Sequence, residues 1–263
     1  MTQQPDVIAD LTAEGEQVDR LVVDLDERGW ATPTPAPGWT VKHQIAHLAA
    51  TFRLAGLAAA DPAAFGALAS RLSDDFDANV VAAMADYVGD PDEVLLNRWR
   101  ADRTAAIKAL AAVPPTDLVP WLVRPLPPGV LACAGMMELF AHGQDIADAL
   151  GVTPVRTDRI GHLVGFAVRV WDFGYIARGL PTPDVEFRFE ITAPSGRVWT
   201  FGPQDATERI AGPAEDFCLL VTRRRHRADL AVVATGSVAD AWLDIAQAYR
   251  GPAGPGRTPG QFD

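Results

Sequence analysis

The hydrophobic period of the chain changes partway along, and few architectures accommodate that change. In the first half apolar residues recur every three to four positions, as in Ile8, Leu11, Val18, Leu21, Val22 and Leu25, the stripe of an amphipathic helix. Beyond residue 180 the run Val185-Glu-Phe-Arg-Phe-Glu-Ile-Thr192 alternates apolar and polar residues, the mark of a half-buried strand. Charge divides with the period. Residues 1–150 hold 10 Lys+Arg against 21 Asp+Glu, whereas residues 151–263 hold 13 of each. The expected class is therefore α+β: a helical module over residues 1–152, a smaller α/β module over 153–252 and a flexible Gly/Pro-rich tail over 253–263.

Start and stop signals place the helices. The first is predicted from Asp6 to about Arg28, ended by Gly29 and the run Pro33 to Gly38. A second follows Trp39, with Thr40 as N-cap, and ends at Asp61-Pro62. Residues 63–90 read as a shorter helix and a loop. A third long helix opens at Asp90-Pro91-Asp92 and closes at Pro114-Pro115. A Pro-rich passage then leads to a fourth, Leu131 to Leu150, ended by Gly151. Four long helices with a long connection before the last predict a four-helix bundle. In the second half a helix is predicted over His162–Arg178, then a hairpin turning at Ala193-Pro-Ser-Gly196. Helical segments at 213–223 and 237–250 flank a strand within 229–234. Trp39 is expected to pack where the second helix begins, and Trp99, Trp171 and Trp242 to fill cores.

Composition narrows the function classes. With 48% hydrophobic residues and 263 positions the chain can bury a core without staples, which excludes disorder and fibre. A net charge of -11 repels phosphate backbones, and the basic run Arg223-Arg-Arg-His-Arg227 is too short to reverse that, so nucleic acid is not an expected partner. No window is long and apolar enough for a membrane span, and no basic segment followed by an apolar one marks secretion. Cys133 and Cys218 lie in apolar runs without CxxC spacing, which fits reduced thiols and a cytoplasmic location.

Chemistry concentrates on the fourth helix. Glu138, His142 and Asp145 stand at i, i+4 and i+7, one face at about 100° per residue, among Leu131, Ala134, Gly135 and Ala149. A carboxylate and an imidazole on an apolar face need a partner, and a divalent metal is one. The donor types suit zinc, and equally iron, nickel or manganese. The second helix offers His43 and His47 as a further ligand, and the helical wheel does not separate them. A hydrogen-bonded core histidine or a surface ion pair is the competing reading. Asp145 either orients His142 or a bound water, or joins a surface pair.

The segments Gly38-Trp-Thr-Val-Lys-His-Gln-Ile-Ala-His47-Leu and Met136-Met-Glu138-Leu-Phe-Ala-His142-Gly-Gln-Asp145 resemble the DinB-like metal-binding bundles. The resemblance is greatest to the actinobacterial group that includes mycothiol-dependent maleylpyruvate isomerase, and it covers nearly the whole chain. It implies a bundle joined to a C-terminal module similar to a sterol-carrier fold, with His47, Glu138 and His142 as metal ligands and His43 solvated or behind the ligands. It also implies an arginine after a G-x-A-x-D segment. Counting from Asp216 in Gly212-Pro-Ala-Glu-Asp216 gives Arg224, with Arg223 where the family has a small residue. Arg224 would fix a substrate carboxylate by a bidentate contact, or stand solvated in a basic turn.

The function so implied is that of a metal-dependent enzyme on a small organic electrophile, with mycothiol or a similar thiol as cosubstrate, giving isomerisation or S-transfer. The ion would serve as a Lewis acid with an open position. Hydrolysis or dehydration by metal-activated water is a second reading, and a ligand- or lipid-binding module without catalysis a third. A homodimer fits such bundles.

Overall fold

The computed structural model describes residues 6–122 and 124–262, so the first five residues of the expected bundle and the last of the expected tail lie outside it. The chain divides into two compact units, Met1–Pro154 and Val155–Asp263.

The first unit is all-helical: α1 (Val7–Val22), α2 (Glu27–Trp30), α3 (Val41–Ala60), α4 (Pro62–Ala69), α5 (Phe76–Val88), α6 (Asp92–Ala112) and α7 (Pro128–Leu150). Short acidic side chains begin several of them. Asp6 accepts from the amides of Ile8 and Ala9, Asp61 from Ala64, and Asp75 from Ala78. The helix expected to reach Arg28 stops at Val22 instead. Asp26 accepts the Gly29 amide at 2.8 Å, and that new N-cap starts the single turn of α2. Residues 63–90 hold two helices where one was expected.

The four long helices form the bundle. α3 packs along α6, and α7 along α1 and α3. Leu11, Val18, Ile45, Leu48, Phe52, Leu95, Trp99, Leu131 and Leu139 make its interior. A side-chain carbon on Gly56 would lie 3.1 Å from the Cα of Ala106, so α3 and α6 touch backbone to backbone there.

The second unit is mixed. It contains α8 (Gly161–Arg169), α9 (Phe173–Ile176), α10 (Ala214–Val221) and α11 (Ser237–Ile245), with strands β1 (Phe187–Thr192), β2 (Val198–Phe201), β3 (Glu208–Pro213) and β4 (Val233–Thr235). The sheet order is β2-β1-β3-β4, with β1 antiparallel to β2, parallel to β3, and β3 antiparallel to β4. Phe187, Phe189 and Ile191 are buried while Arg188 and Glu190 face the other way, so the predicted alternation holds. Their ring partners are Trp171, Phe217 and Trp242.

Three features differ from expectation. The helix predicted over His162–Arg178 breaks after Arg169, where the Trp171 carbonyl leaves the helix to accept the Trp242 indole N–H at 2.8 Å. The strand β3 is unforeseen. Its charged residues are occupied rather than solvated: Arg209 binds Glu190 at 2.7 Å, and Glu208 accepts the Ala239 amide at the start of α11. The C-terminal segment, expected to be loose, is tied down where Asp229 accepts the Gly260 amide and Phe262 stacks under Arg225, 3.7 Å from guanidinium carbon to ring centre.

Candidate metal centre

Three side chains meet between α3 and α7. Thr40 caps α3, and His47 follows two turns later; Glu138 and His142 sit one turn apart on α7. Nε2 of His47 lies 3.4 Å from Glu138 Oε2, and Nε2 of His142 lies 3.3 Å from the same oxygen. The donor atoms of all three are within 4.8 Å of one another. These separations are long for N–H···O hydrogen bonds. They match the edge of a tetrahedron, about 3.4 Å, around an ion with ligand bonds of about 2.1 Å. A divalent metal therefore fits the donor set.

Electrostatics favours the same reading. Burial alone would raise the Glu138 pKa, but hydrogen bonding to His142 and His47, and their charge, outweigh it and hold the carboxyl well below the usual carboxylate range. Glu138 is thus an anion ready to ligate. The side chains remain 12–21% exposed, enough for a small molecule to approach.

The surroundings orient the rings. Gln44, fully buried on α3, places Oε1 2.5 Å from Nδ1 of His142. A His142 that ligated through Nε2 would carry its proton on Nδ1, and Gln44 Oε1 is placed to accept it. Trp39 stacks on His142 at 5.9 Å between ring centres and leans on His47 at 5.3 Å, so it covers the site as well as packing at the start of α3. Thr51 Oγ1 is 3.4 Å from His47 Nε2.

The helical wheel had left His43 and His47 level. Nδ1 of His43 is 2.9 Å from Thr40 Oγ1 and 3.3 Å from the Thr40 amide, so His43 closes a capping box and is turned away from the trio. Asp145 is completely buried, which removes the surface-pair reading. Gln44 went unnoticed in the sequence, although a glutamine inside the stripe Val41, Ile45, Leu48 was the available signal.

Arg224 belongs to the second unit. It follows α10, which ends in a Schellman turn: the Arg223 amide bonds to the Leu220 carbonyl and the Arg224 amide to that of Leu219. Arg223 occupies the left-handed position of that turn at φ 57°. The Arg224 guanidinium donates to the Thr222 carbonyl at 2.7 Å.

Among the described residues Cys133 and Cys218 are in no disulfide, and no helix is long and apolar enough to cross a membrane.

An uncharacterized protein of Mycobacterium tuberculosis, from strains CDC 1551 and H37Rv, is 42% identical over 250 residues, 95% of this chain and 97% of that protein. The crystal structure of the mycothiol-dependent maleylpyruvate isomerase superposes with a TM-score of 0.54 at 15% identity. A histidine-to-alanine mutant of it gives 0.56 at 14%; each covers 89% of this chain and 92% of the other. The fold is shared. A family model described as wyosine base formation matches residues 183–235, within the second unit. The model described as the mycothiol maleylpyruvate isomerase N-terminal domain matches residues 11–147, a span that takes in His47, Glu138 and His142. With more than half of its length inside that match, the chain belongs to the mycothiol maleylpyruvate isomerase N-terminal domain family.

Proposed function

We propose that the protein is a metal-dependent isomerase that uses a low-molecular-weight thiol, mycothiol, on a small acidic electrophile. The observation that carries this reading is the convergence of two imidazole nitrogens and one ionised carboxylate oxygen at a partly exposed point, in a chain of this family. A divalent ion held by His47, Glu138 and His142, zinc in our assignment, supplies a Lewis acid that favours a thiolate over a thiol and polarises a carbonyl.

The residues around that point have separable roles. Gln44 fixes the His142 tautomer, so its ligating lone pair is available without rearrangement. Trp39 shields one side of the two rings from water. Glu138 stays ionised because both imidazoles favour its charge. Arg224, in the second unit, is assigned to a substrate carboxylate by the resemblance alone.

The test is turnover of maleylpyruvate by zinc-loaded protein with and without mycothiol. The reading predicts activity that requires the thiol and is lost in Glu138→Ala. Activity that is indifferent to thiol would overturn the thiol step and leave hydrolysis or dehydration as the reaction class.

A further inference from the structure

The loop between α2 and α3 carries a run of polar contacts that ends on the metal trio. Two backbone bonds close the loop: the Val41 amide donates to the Thr32 carbonyl at 3.0 Å, and the Thr34 amide to the Trp39 carbonyl at 2.8 Å. Gly38 makes the turn at φ 78°. The half-buried Thr34 hydroxyl is thereby held 2.9 Å from the same Trp39 carbonyl and 2.9 Å from Nε2 of Gln44. Gln44 in turn places Oε1 against Nδ1 of His142. The contacts therefore run from the residue whose ring covers His47 and His142, through Thr34 and Gln44, to His142 itself.

The chemistry of the first group gives the run a direction. A carbonyl oxygen accepts and never donates, so the Thr34 hydroxyl gives its one proton to Trp39. The Thr34 oxygen is then an acceptor, and the end of Gln44 that faces it is the NH2. Oε1 is left for His142, where it favours a proton on Nδ1, the arrangement in which Nε2 can ligate. Reversing the Gln44 amide would leave one of the two 2.9 Å contacts of Thr34 as oxygen against oxygen with no proton between them. Gln44 is fully buried, so solvent does not offset the unmade bond.

We propose that Thr34 is a positioning residue for the metal centre: its hydroxyl, oriented by the Trp39 carbonyl, sets the direction of the Gln44 amide and so presents Nε2 of His142 for ligation. Thr34 acts only through Gln44. The proposal deepens the metal part of the proposed function and rests on it.

The test is the zinc affinity of the full-length protein, measured by competition with a chelator and run as a double-mutant cycle. Thr34→Val keeps the shape of the side chain and removes the hydroxyl, and should weaken zinc binding about tenfold, the lower end for loss of a group behind a ligand. Thr34→Ser should restore wild-type affinity. In a Gln44→Leu background Thr34→Val should change affinity by less than about twofold, because the residue it acts through is gone. NMR of the zinc-loaded protein gives a second readout: the Nδ1 proton of His142 should exchange slowly with solvent in wild type and Thr34→Ser, and faster in Thr34→Val. Unchanged affinity and exchange in Thr34→Val would overturn the proposal. So would the same loss of affinity in the Gln44→Leu background, by placing the role in the loop rather than in Gln44. Wild type that takes up no zinc would instead overturn the metal reading itself, so the two failures are distinct.

Discussion

Single side chains decide whether the trio can ligate. Gln44 Oε1 is placed to accept from Nδ1 of His142 and so to favour the tautomer whose Nε2 can ligate. Gln44→Leu keeps the volume and removes the acceptor, so metal affinity should fall by about 10–100-fold, measured by competition with a chelator. His43 makes the complementary prediction, because its ring serves the start of α3. His43→Ala should cost about 1 kcal/mol of stability in denaturant titration while bound metal is unchanged. Tyr87 gives a pH prediction in the helical unit. Burial, reinforced by its hydrogen bond to Asp102 at 2.7 Å, pushes its hydroxyl up to about 12 from 10.0. A raised pKa means the stabilisation is full below about pH 10 and gone above about pH 12. Tyr87→Phe should therefore lose stability at neutral pH and show a flatter alkaline stability profile than wild type.

At the scale of elements, legibility followed the physics of each signal. α3 was readable to the residue because Thr40 and Asp61-Pro62 mark both ends chemically. The β1–β2 hairpin was readable because one face is buried and the other wet. β3 was not. Only Ile210 among its residues is a large buried apolar, and Glu208 and Arg209 look solvated until Glu190 and the start of α11 are in place. The single helix expected over His162–Arg178 failed for a similar reason, since the Trp242 indole that draws out the Trp171 carbonyl is distant in sequence. The site followed the same division. Spacing brought out Glu138 and His142, the resemblance selected His47, and Gln44 was hidden because its meaning depends on a partner 98 positions away. The connection from β2 to β3 passes the start of β1 at Gly202, whose φ is +78° and where a side-chain carbon would lie 1.9 Å from the Phe187 carbonyl oxygen. Gly202→Ala should destabilise the protein by about 2–4 kcal/mol in thermal or denaturant unfolding.

For the molecule as a whole, the two units have separate cores, one of helix stripes and one of aromatic rings that meet largely edge to face. The acidic excess lies in the first, which also carries the trio. An ion bound only by the folded helical unit stabilises that unit by mass action, so a chelator should lower its melting transition. The most direct test of the central claim is metal content by mass spectrometry on untagged protein, comparing wild type with His47→Ala, Glu138→Ala and His142→Ala. The account predicts close to one equivalent of a transition metal in wild type and its loss in all three variants. Protein that holds none after reloading with zinc, nickel, iron or manganese, or variants that retain the wild-type amount, would contradict it.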